Sequence, residues 1–278
     1  MEKNKQLKLA QDFQALHHMD SMFVLPNVWN GGSAKVFDKQ GFKAVATTSA
    51  GIAYAMGYPD GEAICFEDLV RLTKEITRVI DIPLSVDMER GYGDTPESIA
   101  RNVQRIIEAG AVGINIEDGY TTDTPYLEDL DKQIKKIEAI SKLKETLGIP
   151  FVINARTCAF WLKIGDDNTR LEKVIQRCNA FASAGADCVF IPGAMDRATV
   201  KTLSESIHAP INIIANPMFH DFKALSTLGI KRLSIGSGAV RSVFNHIIGI
   251  SQDLYQKDSI QTMLSHAFSY DRANDFFS

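Results

Sequence analysis

The sequence predicts an α/β protein, a (β/α)8 barrel, and three observations carry that prediction. Eight short apolar runs alternate with amphipathic stretches, their entries alternate between glycine and proline, and no linker divides the chain. The runs are 22–26, 44–48, 84–87, 113–117, 151–155, 188–191, 211–215 and 232–235, each rich in Val, Ile, Leu or Phe. Short continuous runs of this kind suit strands buried on both faces. The stretches 67–80, 96–109, 130–147 and 171–184 place apolar residues three and four apart, as in Val103, Ile106 and Ile107, which makes them helices with one buried face.

The entries to the runs repeat in pairs. Gly41, Gly110, Gly185 and Gly229 precede the second, fourth, sixth and eighth, where a left-handed residue closes the preceding helix. Pro83, Pro150 and Pro210 precede the third, fifth and seventh, where proline stops a helix and begins an extended segment. The whole of 1–278 reads as one barrel domain, with 239–278 as a helical extension at its C-terminal end. An open doubly wound sheet is the alternative, but no G-x-G-x-x-G follows the first run. The last residues, SYDRANDFFS, leave apolar side chains uncovered, and so the extension is expected to pack on a second copy in a homodimer or homotetramer.

Composition excludes several classes of function. The 278 residues carry 30 Lys+Arg against 34 Asp+Glu, a net charge of −4, with 45% hydrophobic residues. That balance fits neither a nucleic-acid binder nor a disordered chain. No apolar run reaches the roughly 18–20 residues of a membrane helix. The polar N-terminus lacks a signal-peptide core, which predicts a cytoplasmic protein with no membrane partner. Cys65, Cys158, Cys178 and Cys188 form no C-x-x-C pair and read as reduced packing residues.

In such a barrel, chemistry sits where strands end. Asp87, Glu89 and Glu117 end the third and fourth runs. Three carboxylates converging there would repel one another, and a divalent cation removes the conflict. Oxygen donors without histidine select a hard ion, Mg²⁺ or else Mn²⁺. The competing reading has these acids capping helices or pairing with Arg90, Arg156 or a lysine. Arg156 supplies a planar fork for a substrate carboxylate or phosphonate, unless an ion pair with one of the acids occupies it. The small-residue turn 47–51 can offer backbone N–H groups to an anion. Asn216 ends the seventh run, and Asp60, within Gly57-Tyr58-Pro59-Asp60-Gly61, reads from its neighbours as a turn residue. His220 follows the seventh run and is expected to be solvated or capping. No Ser/His/Asp or Cys/His arrangement stands out, and nothing marks the Cys158 thiol as activated.

Four motifs in order carry a resemblance. Asp87-Met88-Glu89-Arg90-Gly91-Tyr92-Gly93 is similar to D-x-D-x-G-[YF]-G, Asn115-Ile116-Glu117-Asp118 to N-x-E-D, and Asn154-Ala155-Arg156-Thr157 to [NA]-A-R-T. Gly57-Tyr58-Pro59-Asp60 matches G-x-P-D. Together they resemble the isocitrate lyase/phosphoenolpyruvate mutase superfamily over about residues 20 to 245. The resemblance implies a Mg²⁺-dependent barrel, usually tetrameric, with a final helix exchanged between subunits. It implies that Asp87, Glu89 and Glu117 hold the ion, partly through water, and that Arg156 binds a substrate carboxylate. Ser49, Ala50 and Gly51 would line the site, and Asp60 would join it near the metal.

The departures narrow the chemistry. The lyase branch carries K-[KR]-C-G-H after the fourth strand, whereas residues 118–126 here read DGYTTDTPY and contain no Cys, His or Lys. The mutase branch has an E-D-K start and a downstream asparagine, and Glu117-Asp118-Gly119 lacks that lysine. Glu89 replaces the second Asp, and Cys158 stands where A-R-T-D places an acid. The expected activity is therefore C–C bond cleavage, a decarboxylation or a retro-aldol or retro-Claisen reaction, in a small 2-oxo or 2-hydroxy acid. Tyr120 or Thr122 would orient or protonate the product. Phosphonopyruvate mutase or hydrolase chemistry is the alternative, and a non-catalytic carboxylate-binding barrel is the second.

Overall fold

Pro26 divides the first strand in two, and the division closes the barrel. In the computed structural model, which describes residues 2–218, 222–265 and 267–278, β1 (Phe23–Leu25) and β2 (Asn27–Val28) flank this proline. β1 pairs with the last strand and β2 with the next. Proline has no N–H to give to a ladder, but its carbonyl still accepts Ala46 N at 2.9 Å. The remaining strands are β3 (Val45–Thr47), β4 (Leu84–Asp87), β5 (Gly113–Glu117), a two-stranded hairpin β6 (Gly119–Tyr120) and β7 (Tyr126–Leu127), β8 (Val152–Arg156), β9 (Cys188–Ile191), β10 (Ile211–Ile214) and β11 (Arg232–Ser234). The main sheet has nine strands in the order β1-β11-β10-β9-β8-β5-β4-β3-β2, all parallel. Its two ends are the two halves of one bent strand, so the open doubly wound alternative falls.

The helices are α1 (Lys3–His17), α2 (Gly31–Lys39), α3 (Ser49–Ala55), α4 (Phe66–Val79), α5 (Pro96–Glu108), α6 (Leu130–Leu147), α7 (Asp167–Ser183), α8 (Arg197–Ser206), α9 (Phe222–Thr227), α10 (Gly238–Gln256), α11 (Gln261–Ser265) and α12 (Tyr270–Phe277). Local signals set their ends. Thr95 and Ser98 form a reciprocal capping box, with Pro96 at the first turn of α5. α7 starts four residues before the predicted 171 because Asp166 caps it through Thr169 N at 3.0 Å. Gly110 and Gly185 take the positive φ their positions demand, +107° and +105°.

Two features were not legible beforehand. α1, within the segment read only as polar, packs Leu9, Ala10, Phe13 and His17 under the barrel, and Gln6 Nε2 donates to the Ile107 and Ala111 carbonyls at 2.6 and 3.0 Å. Phe13 lies so close to Gly113 that a Cβ there would stand 2.6 Å from its ring. The second feature is the β6–β7 hairpin, which occupies the predicted loop after β5.

The segment predicted helical from 239 to about 268 forms α10 and α11, and α12 follows. Val243, Ile247, Ile248, Leu254, Leu264 and Phe268 remain exposed on this extension. All four cysteines are unpaired, with Cys65 exposed and the others buried. Among the described residues no helix is long and apolar enough to cross a membrane.

Candidate active site

The strand mouths of the barrel open into a cavity of about 820 Å³. Thr47, Ser49, Ala50, Asp60, Asp87, Asn115, Arg156 and Asn216 all line it. Thr47, Asp87, Asn115 and Arg156 come from β3, β4, β5 and β8, while α3 and the turns supply the others.

Asp87 is the most firmly placed acid. Its N–H donates to the Thr47 hydroxyl at 2.8 Å, and its carboxylate accepts Ser49 N at 3.3 Å and Asn115 Nδ2 at 3.2 Å. Asn115 is itself held by Asn154 Nδ2 at 2.8 Å. Asp60 faces the same cavity from the turn after α3. Burial, then the charge of Asp87, raise its pKa, while the Ser49 side chain and Arg156 oppose the rise. The structure thus brings Asp60 to the acids, as the resemblance implied and its turn-like sequence did not.

Glu89 and Glu117 do not complete a three-carboxylate cup. Glu89 sits at φ +49°, and its carboxylate accepts Glu62 N and the Tyr92 hydroxyl, the latter at 3.0 Å. With those partners it does not line the cavity. Burial, then Asp87, push its pKa up to about 8. Glu117 Oε2 lies 2.9 Å from Arg156 Nη1, the ion pair weighed as the competing reading for both residues. Burial raises the Glu117 pKa, with Arg156 opposing and Asp87 adding to it. Among the described residues, no three His, Cys, Asp or Glu side chains gather closely enough to cage a metal ion.

A hydrated hard cation nevertheless fits. Asp87 presents an anchored carboxylate to the cavity, Asp60 stands beside it, and Glu89 and Glu117 lie within their electrostatic reach. The donors are all oxygen. Mg²⁺ commonly takes one or two carboxylates and keeps its remaining waters.

The other predicted residues divide. Arg156 lines the cavity with its guanidinium 5.6 Å from the Phe190 ring, and Ser49 and Ala50 begin α3 at the cavity edge. Gly51 does not line it. It is packed behind, where a Cβ would meet Val240 at 3.2 Å and Trp29 at 3.4 Å. Asn216 reaches the cavity but uses its Oδ1 to accept Met218 N at 2.9 Å. Tyr120 lines a separate cavity of about 640 Å³, donates to Glu128 Oε2 at 2.8 Å and stacks on Tyr126 at 4.6 Å. It therefore does not face the acids of the main cavity, because the hairpin turns it outward. His220 lies outside the described residues.

Asp118 is structural, buried against Arg177 Nε at 2.7 Å. Sequence reasoning missed Arg232 and Arg241, which also line the main cavity. The alternation of Arg232 with Ser234 was the available signal for the first.

Comparison with known proteins agrees with this fold. The model of the family described as phosphoenolpyruvate phosphomutase matches residues 13–254. An uncharacterized protein of Mycobacterium tuberculosis is 35% identical over 225 residues, 81% of each chain. An oxaloacetate decarboxylase of Paraburkholderia xenovorans is 27% identical over 220 residues, 76% of this chain and 71% of that one. Among solved structures, a Burkholderia cenocepacia protein provisionally assigned as a lyase/mutase superposes with a TM-score of 0.92 at 29% identity, covering 99% of this chain and 98% of that one. A phosphonopyruvate hydrolase solved with oxalate and Mg²⁺ shares the fold, with a TM-score of 0.85 at 19% identity over 96% of this chain and 94% of that one.

Proposed function

The chain belongs to the phosphoenolpyruvate phosphomutase family, whose members are Mg²⁺-dependent lyases and mutases, and from that premise we propose that it cleaves a C–C bond in a small 2-oxo or 2-hydroxy carboxylate. Decarboxylation is the simplest form, and a retro-aldol or retro-Claisen reaction is the other. One observation carries this reading. Asp60, Asp87 and Arg156 face a single cavity, while residues 118–126, which follow β5, contain no thiol, imidazole or amine. Loss of CO₂ needs no protein base to break the bond, whereas the lyase-branch route draws on a loop cysteine.

Asp87 would hold Mg²⁺, with Asp60, Glu89 and Glu117 engaged through water; Mn²⁺ suits the same donors. When bound, such an ion supplies Lewis-acid stabilisation of the negative charge developing on the 2-oxo oxygen. Arg156, steadied by Glu117, fixes the substrate carboxylate with its remaining N–H groups. Ser49 and Ala50 bound the substrate at the start of α3, and Asn216 and Gly236 bound it across the cavity. Tyr120 would act on the product only after the hairpin turned it inward. The same reading takes 1–278 as one barrel domain, a cytoplasmic location, and a homodimer or homotetramer joined through 239–278. The exposed apolar residues of α10 and α11 support that assembly.

The test is a panel of oxaloacetate, substituted malates, methylisocitrate and phosphonopyruvate, assayed with Mg²⁺ and with EDTA. Turnover of a carbon acid that EDTA abolishes is expected, and turnover unchanged by EDTA rejects the metal's role. The family's phosphomutase description favours a second reading, P–C chemistry. Phosphonopyruvate consumed with release of phosphoenolpyruvate or phosphate would establish it. Oxalate binding without any turnover would favour a non-catalytic barrel.

A further inference from the structure

The main cavity continues below the strand mouths into the barrel, where Arg232 of β11 forms part of its wall. Arg232 is 2% exposed, and its Nε and Nη1 are buried with no hydrogen-bond partner. Among the described residues it forms no ion pair. Asn212 of β10 stands opposite it in the ladder, fully buried. The Asn212 Oδ1 accepts the Ser234 hydroxyl at 3.1 Å, but its Nδ2 also lacks an acceptor. Two neighbouring strands thus present unsatisfied donors together, and one of them is cationic.

The surroundings supply no counter-charge. The Phe13 ring of α1 lies 5.8 Å from the Arg232 guanidinium. Burial, then Arg232, pull the nearby His17 down to about 3, which leaves it neutral. Cys188 and then Asp87 are the groups whose fields reach Arg232, but burial pushes the Cys188 thiol up to about 12, which leaves it neutral, and the Asp87 oxygens accept from Ser49, Glu89 and Asn115. Burial lowers the Arg232 pKa to about 10, so the group stays charged near neutral pH. A buried charge is retained where it is paired, and water can satisfy its N–H groups without neutralising it.

We propose that Arg232, backed by its ladder neighbour Asn212, forms an anion subsite at the floor of the cavity that takes a carboxylate-sized anion. Two sources can supply it. One is the far carboxylate of a dicarboxylic substrate, which rests on the reading of this cavity as the substrate site. The other is a free inorganic anion, which does not. In the first case Arg232 selects dicarboxylates over monocarboxylates. In the second it fixes a permanent anion beneath the reacting groups.

The experiment uses the full chain treated with EDTA, so that neither metal nor turnover enters. Succinate, propionate and bromide are titrated calorimetrically at constant ionic strength, and thermal unfolding is followed in parallel. Wild type is expected to bind succinate at least about tenfold more tightly than propionate, the worth of one added charge-assisted contact. Arg232→Met is expected to bring the two within about twofold, and to unfold no earlier than wild type in anion-poor buffer, because an apolar isostere removes an unpaired buried charge. Asn212→Asp, which places a fixed carboxylate beside Arg232, should raise the unfolding temperature and abolish the anion response. It keeps the test decisive if Arg232→Met fails to fold. Bromide that stabilises wild type alone, displaces no succinate and gives an anomalous signal at Arg232 assigns the subsite to a free anion. Binding of all three probes unchanged by both variants overturns the proposal and leaves water as the occupant. An inactive substrate panel would leave the floor result standing, so the two failures are distinguishable.

Discussion

The Arg156 guanidinium and the Glu117 carboxylate meet at 2.9 Å from directly paired positions on β8 and β5. Each holds the other, so the arginine enters the cavity already oriented. Arg156→Lys keeps the charge and loses the fork. A lost hydrogen bond to a charged group is worth about 1.5–3 kcal/mol, which sets the expected fall in kcat/KM at about 10- to 100-fold. Glu117→Ala leaves a buried guanidinium unpaired and should lower unfolding free energy by about 3–5 kcal/mol in urea denaturation. Wild-type stability in that variant would show that the pair positions nothing.

Glu89 predicts how stability depends on pH. Its pKa is raised from 4.5 to about 8 by burial first and Asp87 second. The unfolded chain releases this proton near the ordinary value, and the folded chain keeps it until the higher one. Between the two the folded state binds more protons, so the contribution is complete below about 4.5 and is lost as pH rises toward about 8. Metal-free protein should therefore weaken over that interval, and Glu89→Gln should reduce the slope, with Asp60 and Glu117 keeping part of it. Chemical denaturation midpoints measured in EDTA across the range test this, and a slope that Glu89→Gln leaves intact would contradict it.

The barrel was legible because its strands are buried on both faces and its turns carry Gly and Pro in a repeating order. Pro26 could not be read as the seam from its own neighbourhood, since only the pairings of Leu25 with Ser234 and of Asn27 with Ala46 reveal it. Likewise, the strand-end pattern named Asp87, Glu89, Glu117 and Arg156, but it carries no information on side-chain direction. Glu89 accepts from Glu62 N and the Tyr92 hydroxyl, and Glu117 spends its charge on Arg156. Tyr120 follows Glu117 closely in sequence, but it stacks on its hairpin partner Tyr126 and lines the other cavity.

Asp118 ties the hairpin to the barrel. Its carboxylate accepts Arg177 Nε and Cys158 N at 2.7 and 2.8 Å, and its carbonyl accepts Glu128 N at 2.7 Å. Asp118→Asn removes the negative charge and strands the buried Arg177. A loss of about 3–5 kcal/mol is expected. Hydrogen exchange should rise first in residues 119–127, and uniform exchange over the chain would show that the link is not local.

Metal binding can be read without a substrate. If Asp87 anchors Mg²⁺, the ion stabilises the folded state by mass action, about 2.7 kcal/mol at a hundredfold excess over Kd. Wild type should show a rise in unfolding temperature with MgCl₂ that EDTA reverses, and Asp87→Asn should lose it. Ser49 N and Asn115 Nδ2 lose the anionic charge of their acceptor in that variant, so its unshifted baseline must be compared as well. A Mg²⁺ response retained in Asp87→Asn would remove this residue from the ion.

The C-terminal helices set the last expectation. Val243 and Ile247 lie one turn apart on α10, with Ile248 and Leu254 also exposed, and Leu264 follows on α11. Apolar side chains grouped on one exposed extension signal a covered surface. A second copy of the chain would provide that cover, as a homodimer or homotetramer. Light scattering at micromolar concentration should give a multiple of the 30.7 kDa chain mass. Ile247→Lys combined with Leu264→Lys should lower the assembled mass while the barrel keeps its far-ultraviolet dichroism. A wild-type monomer at that concentration would leave the extension to some other partner.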